Sequence, residues 1–122
     1  MKRALVVLCA LGTTAQAQQP PKQVDLAAIE AAEDAATKFY LSCVDRAARH
    51  LDDRTSDPAT IAHGALSVCG KEFDATVEVF SRNYDNYLAA KEKVTAQLRQ
   101  TSIDFAIQRV LINRKAAHAP SH

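Results

Sequence analysis

Tryptophan is absent from the chain, and glycine, proline and cysteine number only three, four and three in 122 residues. So few glycines leave few tight turns, which argues against an all-β fold needing a turn every 8–12 residues or so. Pro20, Pro21 and Pro120 lie near the ends, and Pro58 is the one proline between them, so helices can run far before being broken. Neither charge dominates: 15 Lys and Arg face 14 Asp and Glu, which excludes the strongly basic footprint of a nucleic-acid binder. No apolar run approaches the roughly 20 residues needed to span a bilayer. The chain also lacks G-x-S-x-G, a phosphate-binding glycine loop and H-E-x-x-H, so no catalytic or metal motif is written locally.

The first residues form a recognisable pattern. Lys2 and Arg3 give a positive start, Ala4 to Gly12 an apolar run, and Ala15-Gln16-Ala17 a small-residue cleavage site. Residues 1–17 are therefore expected to be a secretory signal peptide, cut after Ala17, delivering a soluble chain to the bacterial periplasm or exterior. Cys9 leaves with that segment. Cys43 and Cys69 remain, and an even cysteine count in an exported chain favours a disulfide.

The rest of the chain is patterned for helix. Residues 18–23 contain Pro20-Pro21 and form a flexible lead-in. From Val24 to Leu51 the residues Ile29, Ala32, Ala36, Tyr40, Cys43, Ala47 and Leu51 recur at steps of three and four, on an alanine-rich background. Asp52 to Pro58 interrupts the pattern, and Asp57-Pro58 suits an N-cap followed by proline at the first helical position. A second period runs from Ala62 through Cys69, Phe73, Val77, Phe80, Tyr84, Tyr87 and Val94 to Leu98, with Asn83–Asn86 or Gln100–Ser102 the best places for a break. Ile103, Ala106, Ile107, Val110, Leu111 and Arg114 then mark a last helix, and residues 116–122 a disordered tail.

Cys43 and Cys69 are equidistant from residue 56, inside the interruption, and each lies on the apolar period of its own helix. Positions equidistant from the turn meet in an antiparallel helical hairpin, so a Cys43–Cys69 staple is expected. A redox-active pair is disfavoured, because such pairs sit close together near a helix start, as in C-x-x-C. The fold expected is all-α: a disulfide-stapled antiparallel hairpin, Val24–Leu51 against Pro58 to about Leu98, with a C-terminal third helix over Ser102–Arg114, together one helical domain over residues 24–115.

Few clusters could carry chemistry. His50 and His63 are nearly equidistant from the turn with Asp52, Asp53 and Asp57 nearby, which makes them the candidate metal ligands; helical ligand spacing is missing, and no metal or cofactor is expected. His118 and His122 are four apart with Pro120 between them, which spoils a helical chelate. Glu30, Glu33 and Asp34 lack the contrasting environments of a carboxylate acid–base pair, and with Lys38 they suit solvated ion pairs. No enzyme is expected. Asp25–Asp85 holds twelve acids and six bases but Asn86–His122 two acids and six bases, and there Arg109, Arg114 and Lys115 around an apolar stripe raise contact with a membrane surface as one alternative. Ile103, Ile107, Val110 and Leu111 are the candidate interaction face, for a protein partner or a second copy.

Phe39-Tyr40 before Cys43, the helix start Ser56-Asp57-Pro58-Ala59, and Ile61-Ala62 leading to Cys69 resemble small exported bacterial two-cysteine α-helical proteins of unassigned function. The likeness covers Phe39 to Phe73. It implies an extracytoplasmic helical hairpin and transfers no catalytic residue.

Overall fold

A computed structural model describes residues 24–118. Residues 1–23, where a signal peptide and a lead-in are expected, and residues 119–122 lie outside these described residues. Four helices follow in order, with no strand among the described residues: α1 (Leu26–Leu51), α2 (Pro58–Val68), α3 (Gly70–Ser81) and α4 (Tyr87–Ala117).

Each start has a side-chain cause, except at Cys69. Asp25 caps α1 by accepting from the Ala28 amide, Asp57 caps α2 by accepting from Ala59 with Pro58 just inside, and Asn86 caps α4 by accepting from Ala89. These carboxylate and amide oxygens satisfy amides that a helix leaves unpaired in its first turn. Arg49 and His50 in the last turn of α1, and Arg114 and Lys115 in that of α4, complement the negative ends of those helix dipoles.

Pairs across the fold give its direction. Cys43 bonds to Cys69, with Cα atoms 6.0 Å apart, and the Thr76 hydroxyl lies 3.3 Å from the Ala36 carbonyl. Residue numbers rise on one side as they fall on the other, so α2 and α3 run back along α1. Asp45 meets Arg109 and Asp52 meets Arg114, so α4 runs in the same direction as α1.

Two features differ from the sequence expectation. The second period is not one helix to Leu98. It is interrupted at Cys69, which closes α2 through its amide to Ala65 and opens α3 through its carbonyl to Phe73, and it ends at Ser81 before the turn at residues 82–86. The last helix starts at Tyr87, not Ser102, and passes through Gln100–Ser102 unbroken to Ala117. Ser102 does not break it because its hydroxyl is donated to the Leu98 carbonyl one turn back, at 2.6 Å, which makes a polar residue self-sufficient inside a helix.

The core gathers Tyr40, Val44 and Ala48 from α1, Ala62 and Ala65 from α2, Phe73 and Val77 from α3, and Ala106 and Val110 from α4. The alanines let the helices approach closely, most extensively between α2 and α4. Gly64 serves the same end: a Cβ there would come within 3.2 Å of Leu51 Cδ1. Packing is uneven along α1. Its fully buried residues begin at Tyr40, and the turns before it are at most half-buried.

The loop between α1 and α2 is built from carboxylates. Asp53 accepts from the amides of Thr55 and Ser56 and from the Ser56 hydroxyl, and Asp52 accepts from the Arg54 amide. Arg54 takes a left-handed backbone, φ 64°, to allow this. Arg114 then straps the loop to α4, donating to both Asp52 oxygens and, at 2.8 Å, to the Ser56 carbonyl. The Arg114 bonds hold the Asp52 carboxyl below the usual carboxylate range, and the Ser56 bonds do the same for Asp53. At Asp45, burial pushes the carboxyl up, but the Arg109 and Arg49 hydrogen bonds outweigh it and the net shift is downward.

These shifts set a pH dependence. A carboxyl whose folded pKa lies below its unfolded value of roughly 3.9 adds stability above that value and loses it as pH falls further. Thermal unfolding should therefore drop by about 5 °C or more between pH 5 and pH 2. Asp52→Asn should flatten the drop; an identical pH profile for the variant would remove Asp52 from the account.

Candidate partner-binding groove

A trough of about 750 Å³ runs between α2–α3 and α4. That is within the ~300–1,000 Å³ range of ligand sites. Its floor includes Leu66, Phe73 and Val77. One wall, on α3, carries Asp74 and Glu78, four residues apart and therefore on one helix face. The opposite wall, on α4, carries Lys91, Thr95 and Arg99 at the same spacing. One wall is acidic and the other basic.

The end of the trough near the α3–α4 turn is closed. Tyr87 donates its hydroxyl hydrogen to Glu78 Oε2 and accepts from Lys91 Nζ at 3.1 Å, while the Lys91 ammonium also lies 5.4 Å from the Tyr87 ring centre and 3.9 Å from Glu78. The bond to Tyr87 holds the Lys91 ammonium above its usual range. Farther along, Asp74 and Arg99 have no ion-pair partner among the described residues. Arg99 sits with its guanidinium carbon 5.7 Å from the Phe73 ring centre, and Phe73 meets the buried Tyr40 ring edge-on at 5.7 Å. A cation over a ring face gains roughly 0.5–1 kcal/mol at an exposed site and keeps its charge available to a ligand. Comparison with protein-family models, curated proteins and solved structures yields no match.

The candidate interaction face from the sequence is placed differently. Val110 is fully buried, Ile103 and Ile107 pack against the core, and only Leu111 is largely exposed, with Ile112 beside it. The fully buried residues of this part of α4 are Ser102, Ala106 and Val110; Ala106 and Val110 belong to the expected apolar stripe, and Ser102 lies deeper than its Ile103 and Leu111. The face is therefore mostly spent on the fold, a correction to its use as a docking surface.

His50 and His63 are both exposed and serve different surfaces: His63 lines the trough, and His50 lies on a separate depression of α1 with Arg46 and Arg49. No group of three or more metal-ligating side chains gathers among the described residues. Of the basic residues considered for a membrane surface, Arg109 is paired with Asp45 and Arg114 with Asp52, so two of the three charges are already engaged. No described helix is long and apolar enough to cross a membrane. Asp34 pairs with Lys38 in the open.

Ser67, His63 and Asp74 all line the trough, the residue types of an acyl-transfer triad. All three are exposed, and among the described residues no hydrogen bond joins any two of them. Asp74 and Arg99 escaped the sequence reading. The signal was there, as acids at 74 and 78 and bases at 91 and 99, each on one helix face. What was missing was the knowledge that the two faces oppose each other.

Proposed function

We propose that the protein is a small exported, non-enzymatic module that binds a partner polypeptide through the trough between α2–α3 and α4. One observation carries this: a trough between an acidic wall and a basic wall remains open after the chain has folded, with Asp74 and Arg99 outside any ion pair among the described residues. Residue types suited to catalysis are present there without mutual hydrogen bonds, which favours binding over chemistry. Export is supported by the leader pattern at residues 1–17 and by the Cys43–Cys69 bond, which suits an oxidising compartment.

Panning a displayed library of short random peptides against Gln18–His122 tests the reading. Binders should be enriched, and Ser67→Trp or Thr95→Trp, which fill the trough from opposite sides, should weaken them about tenfold. Leu111→Ser, outside it, should leave them unchanged. Enriched peptides indifferent to both tryptophans, or no enrichment, would count decisively against the trough. Light scattering on the mature chain distinguishes a second copy from a foreign partner as the natural occupant.

A further inference from the structure

The Cys43–Cys69 bond reaches the trough as well as the core, and its effect there rests on the binding role just proposed. We infer that this bond is a redox control on the trough: the oxidised chain holds the α2–α3 wall in place for a partner, and reduction by an external dithiol frees that wall and releases the partner while the bundle stays folded.

The wall is broken in the middle. Leu66 and Ser67 line it from α2, and Gly70, Phe73 and Asp74 line it from α3, so the joint at Cys69 lies inside it. A continuous helix would tie the amides of Gly70, Lys71 and Glu72 to the carbonyls of Leu66, Ser67 and Val68. None of these three bonds is made. No side chain caps the start of α3 either. Packing adds little: Val68 is 64 % exposed, and a Cβ at Gly70 would meet nothing within 4 Å. From Leu66 to Glu72 the one buried residue is Cys69, and its bond to Cys43 fastens it to α1. The wall is held at its weakest point by a single covalent link.

The rest of the bundle does not depend on that link in the same way. Ile61, Ala62 and Ala65 keep α2 in the core, and Phe73, Thr76 and Val77 keep α3 there. Loss of the bond therefore leaves two anchored helices on a free joint. Cys43 stays fixed in the middle of α1 beside the buried Tyr40 and Val44, where Cys69 can return to it.

The reaction is a thiol–disulfide exchange. One thiolate of the dithiol attacks the sulfur of Cys43, the less buried partner at 8 % exposure, and the Cys69 thiolate leaves. The second thiol of the reductant then attacks the mixed disulfide and displaces the Cys43 thiolate, so the dithiol ends as a disulfide. Two electrons pass to the pair, and the two protons of the dithiol finish on Cys43 and Cys69. Access comes with local opening of a joint that no backbone bond closes. The pair regulates and does not catalyse, since both residues are buried at rest, whereas a catalytic cysteine is partly exposed to its substrate.

The test compares Gln18–His122 oxidised, reduced with excess dithiothreitol, and as Cys43→Ala/Cys69→Ala, with circular dichroism following the helices. Trypsin cleavage after Lys71, which is exposed in the joint, should quicken about tenfold in the reduced chain and in the variant. A labelled peptide from the panning above should bind both about tenfold more weakly than it binds the oxidised chain. Reoxidation should restore the affinity of the reduced chain. Equal binding by the three forms overturns the inference. So does a bond that excess dithiothreitol leaves intact in the folded protein, or a loss of the helices on reduction. If no peptide binds even the oxidised chain, the binding role fails and cleavage at Lys71 alone judges the wall: a faster cut upholds its release, and an unchanged rate overturns it.

Discussion

Replacing Cys43 and Cys69 together by alanine should lower the unfolding free energy by about 3.5 kcal/mol, the loop-closure value for a bridge of this span on the chain-entropy account. The two residues are 26 apart in sequence and both are buried, which favours alanine over serine, since a new hydroxyl there would need a partner. For a domain of this size the loss corresponds to a melting temperature lower by roughly 15 °C or more. The variant should still fold at room temperature, because small domains hold about 5–15 kcal/mol in total. The effect also has a location. Cys69 is the joint between α2 and α3 and has no side-chain cap there, so the bond to α1 anchors the joint. Amide exchange should accelerate first from Val68 to Phe73. A melting temperature within ~3 °C of the parent would show that helix packing alone holds the fold.

Tyr40 should respond in opposite directions to two substitutions. Its side chain is wholly buried, beside Phe73 and close to Ser102, and no partner of acceptable geometry reaches its hydroxyl. Ser102 has given its own hydrogen to Leu98. Burial accordingly pushes the phenol pKa up, against the smaller lowering influences of Ser102 and Arg99. Tyr40→Ala removes a large ring where α1, α3 and α4 meet and should cost about 3–5 kcal/mol, the range for emptying an aromatic site. Tyr40→Phe keeps the ring and removes an unpaired oxygen, so it should be neutral or add up to about 1 kcal/mol. Denaturant titration of the three proteins reads both. A loss of more than about 1 kcal/mol in Tyr40→Phe would mean that the hydroxyl has a partner in solution.

Local chemistry explains the parts that were legible early. Asp57-Pro58 starts α2 where the sequence placed a helix start, because a cap and a fixed φ act within a few residues. The turn at Asn83–Asn86 was one of two candidate breaks, and Asn86 supplies the cap that decides it. At Gln100–Ser102 the same residue types produced no break. The Leu98 carbonyl took up the Ser102 hydroxyl, and the closeness of Tyr40 favoured a small residue there.

The trough was not legible, and the reason is geometric. Asp74 and Arg99 are separated by 25 residues and a turn, and each alone looks like an ordinary solvated charge. Their opposition depends on how α4 lies against α3. The same holds for Arg109 and Arg114, which resemble a basic surface in the sequence and become internal struts once Asp45 and Asp52 face them.

By itself, the sequence determined the helical class, the loop at Asp52–Pro58 and the pairing of Cys43 with Cys69, since periodicity, capping and distance from a turn are local quantities. Only the tertiary structure decided which edge of the α4 stripe lies deepest. Ser102, Ala106 and Val110 are less apolar as a set than Ile103, Ile107 and Leu111, yet they line the interior. Helices brought close by buried alanines at Ala48, Ala62 and Ala65 leave room for small side chains, and close packing there outweighs the greater hydrophobicity of the neighbouring ridge.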